Sequence, residues 1–309
     1  MSKLRVALLF GGLSNERKIS LKSGEEVKKA LNPDKYRITC YDLQQGLAPL
    51  VADAPQIDVA LIILHGRYGE DGTVQGLLDL LKIPYQGSGV LGSAIAMNKV
   101  LTKTLYRLEG LPVAKDRVLR KGDSPDLESV MVELGIPVVV KPNREGSSIG
   151  VKFAHSTEQL IDIIEQTFKM DQEILLEEYI KGREITAGVM GNEDLEALPL
   201  VEIIPAEDYE FFDYEAKYKE KAAREICPAP LPESLTLLAQ GYALKAHKAL
   251  KLKGYSRTDM IVRGGDIVLL ETNTIPGMTQ TSLFPQAAKA AGMDFSALLD
   301  RLIALALEK

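Results

Sequence analysis

Apolar and polar positions follow two different rhythms along this chain. LRVALLF (4–10) and IDVALIILH (57–65) are near-continuous apolar runs of strand length, the pattern of strands covered on both faces. YRITCYDL (36–43) alternates as a half-covered strand does, and helical spacing marks residues 16–31 and DGTVQGLLDLLK (71–82). Strand and helix in turn predict a parallel sheet, whose functional loops lie beyond the carboxyl ends of its strands. Two of those ends are polar, GGLSNER (11–17) and HGRYGEDG (65–72).

After residue 92 the rhythm changes. A helical stretch (93–108) is followed by the connector LPVAKDRVL, the strand IPVVVKP, the small-residue loop REGSSIG, the strand VKFA, the helix TEQLIDIIEQTF and the strand EILLEEYI. From Arg183 strands dominate: REITAGVM, LEALPLVEII, and the pair YSRTDMIV and DIVLLETN joined by an RGGD turn, with a helix over 234–252 and a helical tail from 284. The polar, aromatic stretch AEDYEFFDYEAKYKEKAA (206–223) has no period and is expected to form a loop. The expectation is an α/β protein of three units, with an N-terminal parallel-sheet unit (1–95), a central α+β unit (96–183) and a C-terminal α+β unit (184–309).

Composition narrows the function. A net charge of -6 with no Lys/Arg cluster argues against nucleic acid as a partner. Cys40 and Cys227 are the only cysteines, too far apart in sequence to suggest a disulfide framework or a zinc site, which fits a reducing cytoplasm. No apolar run is long enough to span a membrane.

Four stretches carry candidate chemistry. Glu271 and Asn273 are two apart on a strand and leave the same face, with Asp259 on the preceding strand, so three oxygen donors can converge on Mg²⁺ or Mn²⁺. A solvated hairpin edge is the plainer reading of any one of them. Lys141 ends an apolar strand just before Gly146, Ser147, Ser148 and Gly150, a set able to hold phosphate oxygens or simply to make a flexible turn. In ILLEEYIKGRE a strand with an acidic flank could pair its edge with a purine and grip a ribose through Glu184. GSGVLG (87–92) matches the dinucleotide pattern and raises a nicotinamide-dependent oxidoreductase as an alternative. It follows a late strand, however, and no acidic residue closes a strand about 20 residues on, so a tight helix entry at a unit junction explains it better.

Taken in order, the motifs FGGLSNERKIS, LHGRYGEDGT, YQGSGVLGSAIAMNK, VVVKPNREGSSIG, LLEEYIKGREIT, FFDYEAKY, YSRTDM and ETNTIPGMTQTSLFP resemble the ATP-grasp superfamily, and within it the D-alanine:D-alanine ligases. The resemblance covers nearly the whole chain. It implies ATP-dependent joining of two D-alanines through an acyl phosphate, for peptidoglycan precursors, by a cytoplasmic homodimer with two Mg²⁺ or Mn²⁺ ions. On this resemblance Glu16, in a triad with Ser147 and Tyr218, binds the ammonium of the first D-alanine, and His65 lies near its carboxylate. Lys99, Lys141, Ser148 and Lys217 contact phosphates, Asp259, Glu271 and Asn273 hold metal, Glu177, Glu178 and Ile180 line the adenine pocket, and Glu184 binds ribose. Arg257 with the Gly277 N–H stabilises the tetrahedral oxyanion, Ser282 anchors the second D-alanine, and 207–221 closes over the site. The base that takes the amine's proton is left open.

Tyr218 favours the dipeptide over the D-alanyl-D-lactate ester, the alternative product alongside D-alanyl-D-serine. Two residues depart from the family pattern: Tyr68, which could narrow the first-substrate side of the pocket, and Asn143 in place of a serine. A non-catalytic nucleotide sensor is disfavoured by Arg257 and the complete oxygen-donor set.

Overall fold

The first strand, β1 (Leu4–Phe10), lies parallel between β2 (Tyr36–Asp42) and β3 (Val59–Ile62), in the order β2-β1-β3. The structure, a computed structural model, describes residues 3–205 and 223–308. All four β3 residues are fully buried because both faces of the sheet are covered. One face carries Leu50 on α2 (Ala48–Asp53), Leu78 on α3 (Thr73–Leu80) and Ile83. The other packs against the end of the chain, where Leu298, Leu299, Leu302 and Ile303 join Val6, Leu8 and Leu61 in one core.

Helix α1 (Arg17–Ala30) lies directly on β1, and it can do so because residue 24 has no side chain. A Cβ at Gly24 would meet the Phe10 ring at 2.6 Å. The loop between β1 and α1 is tied down at three points. Ser20 Oγ accepts from the Gly11 N–H at 2.8 Å and donates to the Ile63 carbonyl, while Arg17 forms a two-pronged pair with Asp42 at 2.6 and 2.7 Å. The Arg17 guanidinium holds the Asp42 carboxyl down at about 2. These ties fix the start of α1, where Glu16 stands.

A second sheet is antiparallel, β4-β7-β5-β6, built from β4 (Asp116–Arg120), β5 (Val138–Pro142), β6 (Lys152–Ala154) and β7 (Glu173–Glu178). Val138 and Val140 point into its core and are fully buried, so Val139 and Lys141 face the opposite way, into a cavity. The third sheet has six strands: β11 (Ala223–Ile226), β10 (Val201–Pro205), β8 (Arg183–Gly191), β12 (Gly254–Arg263) and β13 (Asp266–Asn273), with β9 (Glu196–Ala197) beside β8. Only four residues separate β7 from β8, so the second and third sheets adjoin along Tyr179–Gly182.

The expected α/β organisation, a parallel sheet followed by two α+β units, is the one observed. Five local readings change. The helix expected over 93–108 is two, α4 (Val90–Met97) and α5 (Lys99–Leu108), because the Asn98 side chain caps the Leu101 N–H at 3.0 Å and starts a new helix. The connector 111–119 contains most of β4, and residues 127–134, given no element from sequence, form a helix capped by Asp126. LEALPLVEII splits into β9 and β10, and the C-terminal tail is two helices, Leu283–Ala290 and Phe295–Leu307, parted at Gly292 with φ +89°. The expected loop 207–221 lies outside the described residues.

Substituting Gly24→Leu should lift α1 off β1 and lower the unfolding free energy by about 1–3 kcal/mol, the usual cost of overpacking. Chemical denaturation measures it, and an unchanged midpoint would show that the contact with Phe10 does not set the helix position.

Candidate active site

Two cavities meet at the third sheet. The larger, about 410 Å³, lies between the second and third sheets, and Lys99, Lys141, Ser148, Glu177, Glu178, Ile180 and Glu184 line it. The smaller, about 130 Å³, is lined by Glu16, His65, Ser147, Arg257, Asn273, Gly277 and Ser282. Glu184, Asp259 and Glu271 line both. The shared wall follows from strand register: Asp259 on β12 is directly opposite Glu271 on β13, and Arg257 is opposite Asn273.

Sixteen of the eighteen residues expected at a site therefore line one cavity or the other. The remaining two, Lys217 and Tyr218, lie outside the described residues.

The contacts give the site its electrostatics. Glu16 is buried at the N-cap of α1, yet its side chain does not cap the helix; it accepts a hydrogen bond from the Ser147 hydroxyl, 131 residues away. Ser147 and Ser148 take left-handed φ values of 51° and 58°, a strained arrangement for non-glycine residues that holds Ser147 against Glu16. Arg257 grips Asp259 with two bonds of 2.8 Å, and Thr186 and Asn273 donate to the same carboxylate at 2.8 and 3.2 Å. Lys99 Nζ donates to the Glu145 carbonyl at 2.5 Å and lies 3.3 Å from Glu271. Asn143 serves that lysine: fully buried, it accepts from the Val100 N–H and donates to Glu173, pinning the start of α5. Ser282 precedes the helix Leu283–Ala290, whose N-terminus opens on the smaller cavity.

Sequence reasoning gave no role to Glu70 and Glu225, which also line the smaller cavity. Glu70 was visible inside HGRYGEDG, four residues after Gly66, whose N–H it accepts at 2.7 Å. Glu225 carried no local signal; pairing of β11 with β10 brings it in. The smaller cavity thus gathers six carboxyl side chains around one guanidinium. Burial, and then the neighbouring Glu16 carboxylate, push Glu70 up to about 8. Burial pulls His65 down to about 4, a hydrogen bond to the Ile275 backbone opposing and the Arg257 charge assisting; among the described residues its Nε2 has no hydrogen-bond partner.

Tyr68 does not narrow this cavity. It stands at φ +69° beside an apolar cavity of about 220 Å³, lined by Leu13, Leu47 and Leu64, that shares His65 alone with the smaller site cavity. GSGVLG shares no lining residue with either site cavity; Gly87 and Gly92 pack against Tyr255 and the Lys251 carbonyl, as a helix entry at a junction requires. Among the described residues, no three His, Cys, Asp or Glu side chains group about one point as a metal cage.

A parallel sheet followed by two antiparallel sheets that enclose a lysine-fringed cavity is the ATP-grasp architecture, and solved structures agree. The ligase of Bacillus anthracis named D-alanine--D-alanine ligase, complexed with ATP, superposes with a TM-score of 0.87 at 38% identity, over 98% of this chain and 97% of that one. VanG, a D-Ala:D-Ser ligase from Enterococcus faecalis, gives 0.83 at 30% identity over 99% of this chain and 100% of that one. The family model for the D-ala D-ala ligase N-terminus matches residues 5–48 and 49–88, and that for the C-terminus matches 105–304. D-alanine--D-alanine ligase of Syntrophobacter fumaroxidans is 62% identical over 306 residues, 99% of this chain and 98% of the relative; that of Desulfotalea psychrophila is 52% identical over 309 residues, 99% and 96%. The chain belongs to the D-alanine–D-alanine ligase family.

The histidine and glutamate shifts oppose each other in stability. His65, like His247, titrates near 4 when folded against 6.5 when unfolded, so its contribution is complete above pH 6.5 and is lost as pH falls toward 4. Glu70, raised from 4.5 to about 8, contributes fully below pH 4.5 and loses that contribution as pH rises through 8. NMR titration should place the His65 imidazole midpoint near 4. A midpoint near 6.5 would contradict its burial as the dominant influence.

Proposed function

We propose that the protein joins two D-alanines to D-alanyl-D-alanine at the expense of ATP, through an acyl phosphate, for peptidoglycan precursor synthesis. The observation that carries the reading is the pairing of cavities: a small, carboxylate-rich one suited to ammonium groups shares Asp259 and Glu271 with a larger one fringed by Lys99 and Lys141. Amino acid and phosphoryl donor can thus meet across one wall.

In this reading ATP lies between the second and third sheets. The Glu177 side chain and the backbone of Glu178 and Ile180 take the adenine, Glu184 takes the ribose, and Lys99, Lys141 and Ser148 take phosphates. Glu16, oriented by Ser147, binds the ammonium of the first D-alanine and aims its carboxylate past His65 at the shared wall. A carboxylate oxygen attacks the γ-phosphorus and ADP leaves. The second D-alanine, its carboxylate at Ser282 and the adjoining helix N-terminus, attacks the acyl carbon. Arg257 and the Gly277 N–H hold the tetrahedral oxyanion until phosphate departs.

Asp259, Glu271 and Asn273 offer hard oxygen donors from neighbouring strands, a set suited to Mg²⁺ or Mn²⁺, two ions in this reading. Bound there, the metal would neutralise charge on the transferred phosphoryl group. Lys217 and Tyr218 keep their roles, at the phosphates and beside Ser147, on the strength of the sequence alone. Three units, 1–95, 96–183 and 184–309, enclose the site, and the family resemblance supports a homodimer. A cytoplasmic location rests on the expected substrates; among the described residues no helix is long and apolar enough to cross a membrane.

Purified protein with ATP and Mg²⁺ should release phosphate only when D-alanine is present, with D-alanyl-D-alanine as product. Nucleotide binding without phosphate release for any D-amino acid would refute the reading. D-serine and D-lactate offered in competition should be minor second substrates; a mixed product exceeding the dipeptide would favour a variable ligase. Arg257→Ala should lower kcat by about 10²–10³, as loss of an oxyanion donor does. Unchanged turnover would remove it from that role.

A further inference from the structure

At the floor of the larger cavity, Glu177 and Lys141 belong to a buried charge cluster that extends to Lys103 and Asp116. Lys103, on α5, is among the largest fully buried side chains of the protein. Its Nζ lies 2.6 Å from Glu177 Oε1 and 2.9 Å from Asp116 Oδ1, while Lys141 Nζ takes Glu177 Oε2 at 2.5 Å. Each oxygen of Glu177 therefore has its own ammonium. Register explains the need: Asp116 and Glu177 are direct cross-strand neighbours on β4 and β7, a like-charge pair that would repel without a cation between them. Arg107 also pairs with Asp116, on the same Oδ1 that Lys103 contacts.

Glu177 and Lys141 line the cavity and Lys103 does not. Whatever Lys103 does for a nucleotide, it does through Glu177. An ionised carboxylate at the base-binding end of a purine pocket accepts from a 6-amino group and repels a 6-oxo group. It can do so only while it stays ionised and in place.

We propose that Lys103 is a positioning residue for nucleotide selection, holding the Glu177 carboxylate in the orientation that accepts adenine and rejects guanine. The proposal rests on the larger cavity being the ATP site. Burial works to raise Glu177, but Lys141 and Lys103 outweigh it and keep it below the usual carboxylate range. Lys103 is pulled by burial to about 8, Glu177 opposing, so the ammonium persists at neutral pH. Without Lys103, the buried glutamate would take up a proton or turn toward Lys141, and a protonated acid can donate to a 6-oxo group.

The test compares wild type, Lys103→Met, Glu177→Gln and the double variant in steady-state assays with ATP and GTP. Lys103→Met should raise the KM for ATP about 10-fold or more and narrow the ATP:GTP preference in kcat/KM by a similar factor, the scale of a lost charge-assisted hydrogen bond. The KM for D-alanine should move less than about 2-fold, because the smaller cavity is untouched. In the Glu177→Gln background, adding Lys103→Met should change the KM for ATP by less than about 3-fold, since the group it positions is gone. The comparison of Glu177→Gln with the double variant does not need the single Lys103→Met variant to fold: in the double variant Asp116 keeps Arg107, and the Lys141 left without Glu177 lines the cavity. An unmoved KM for ATP and ATP:GTP preference in folded Lys103→Met, or equal effects in both backgrounds, overturns the inference while leaving the ATP site intact. Wild-type protein that does not turn over ATP with D-alanine overturns the nucleotide reading and this inference together.

Discussion

The antiparallel pairing of β12 with β13 is the constraint on which the site depends. Its register sets Asp259 against Glu271 and Arg257 against Asn273, which places two carboxylates and a guanidinium on one small area of sheet. Buried charges of like sign are costly to keep together, and the surrounding structure answers that cost with specific partners. Arg257 and Thr186 satisfy Asp259, and Lys99 reaches Glu271 from a helix whose start is pinned by Asn143. The same area forms the wall between the two cavities, so both face a common set of charges.

A second connection joins distant parts of the chain. The Ser147 hydroxyl meets Glu16 across 131 residues, linking the small-residue loop of the second sheet to the first turn after β1. Because Arg17 and Ser20 already tie that turn to Asp42 and Ile63, Glu16 meets the serine from a fixed position. The acid that could have been an ordinary first-turn residue is instead a buried group with a remote partner. Below the larger cavity, Lys103 and Lys141 do for Glu177 what Arg257 does for Asp259.

Much of this was legible in the sequence because the informative residues sit on strong local patterns. LRVALLF and DIVLLETN announce strands by apolar continuity, and the i, i+2 spacing of Glu271 and Asn273 puts both on one face before any fold is known. What stayed hidden depends on partners far away in the chain. Helix 127–134 has a weak pattern and owes its place to packing with Leu160, on the helix Thr157–Thr167, and with Val138 on the second sheet. Glu225 enters the site only through strand pairing, and Lys103 reads as one more helix lysine until Asp116 and Glu177 surround it. GSGVLG matches the dinucleotide pattern by spacing alone, and its glycines answer close approach to Tyr255 and Lys251, as the helix entry read from the sequence requires.

The central claim is that a carboxylate held in the smaller cavity attacks a phosphoryl group delivered from the larger one. D-alanine labelled with ¹⁸O in both carboxylate oxygens tests it directly. If an acyl phosphate forms and the second amine displaces phosphate, ³¹P NMR of the released phosphate will show one ¹⁸O per molecule, transferred from D-alanine. Phosphate carrying no label, formed at the same rate as dipeptide, would contradict the account.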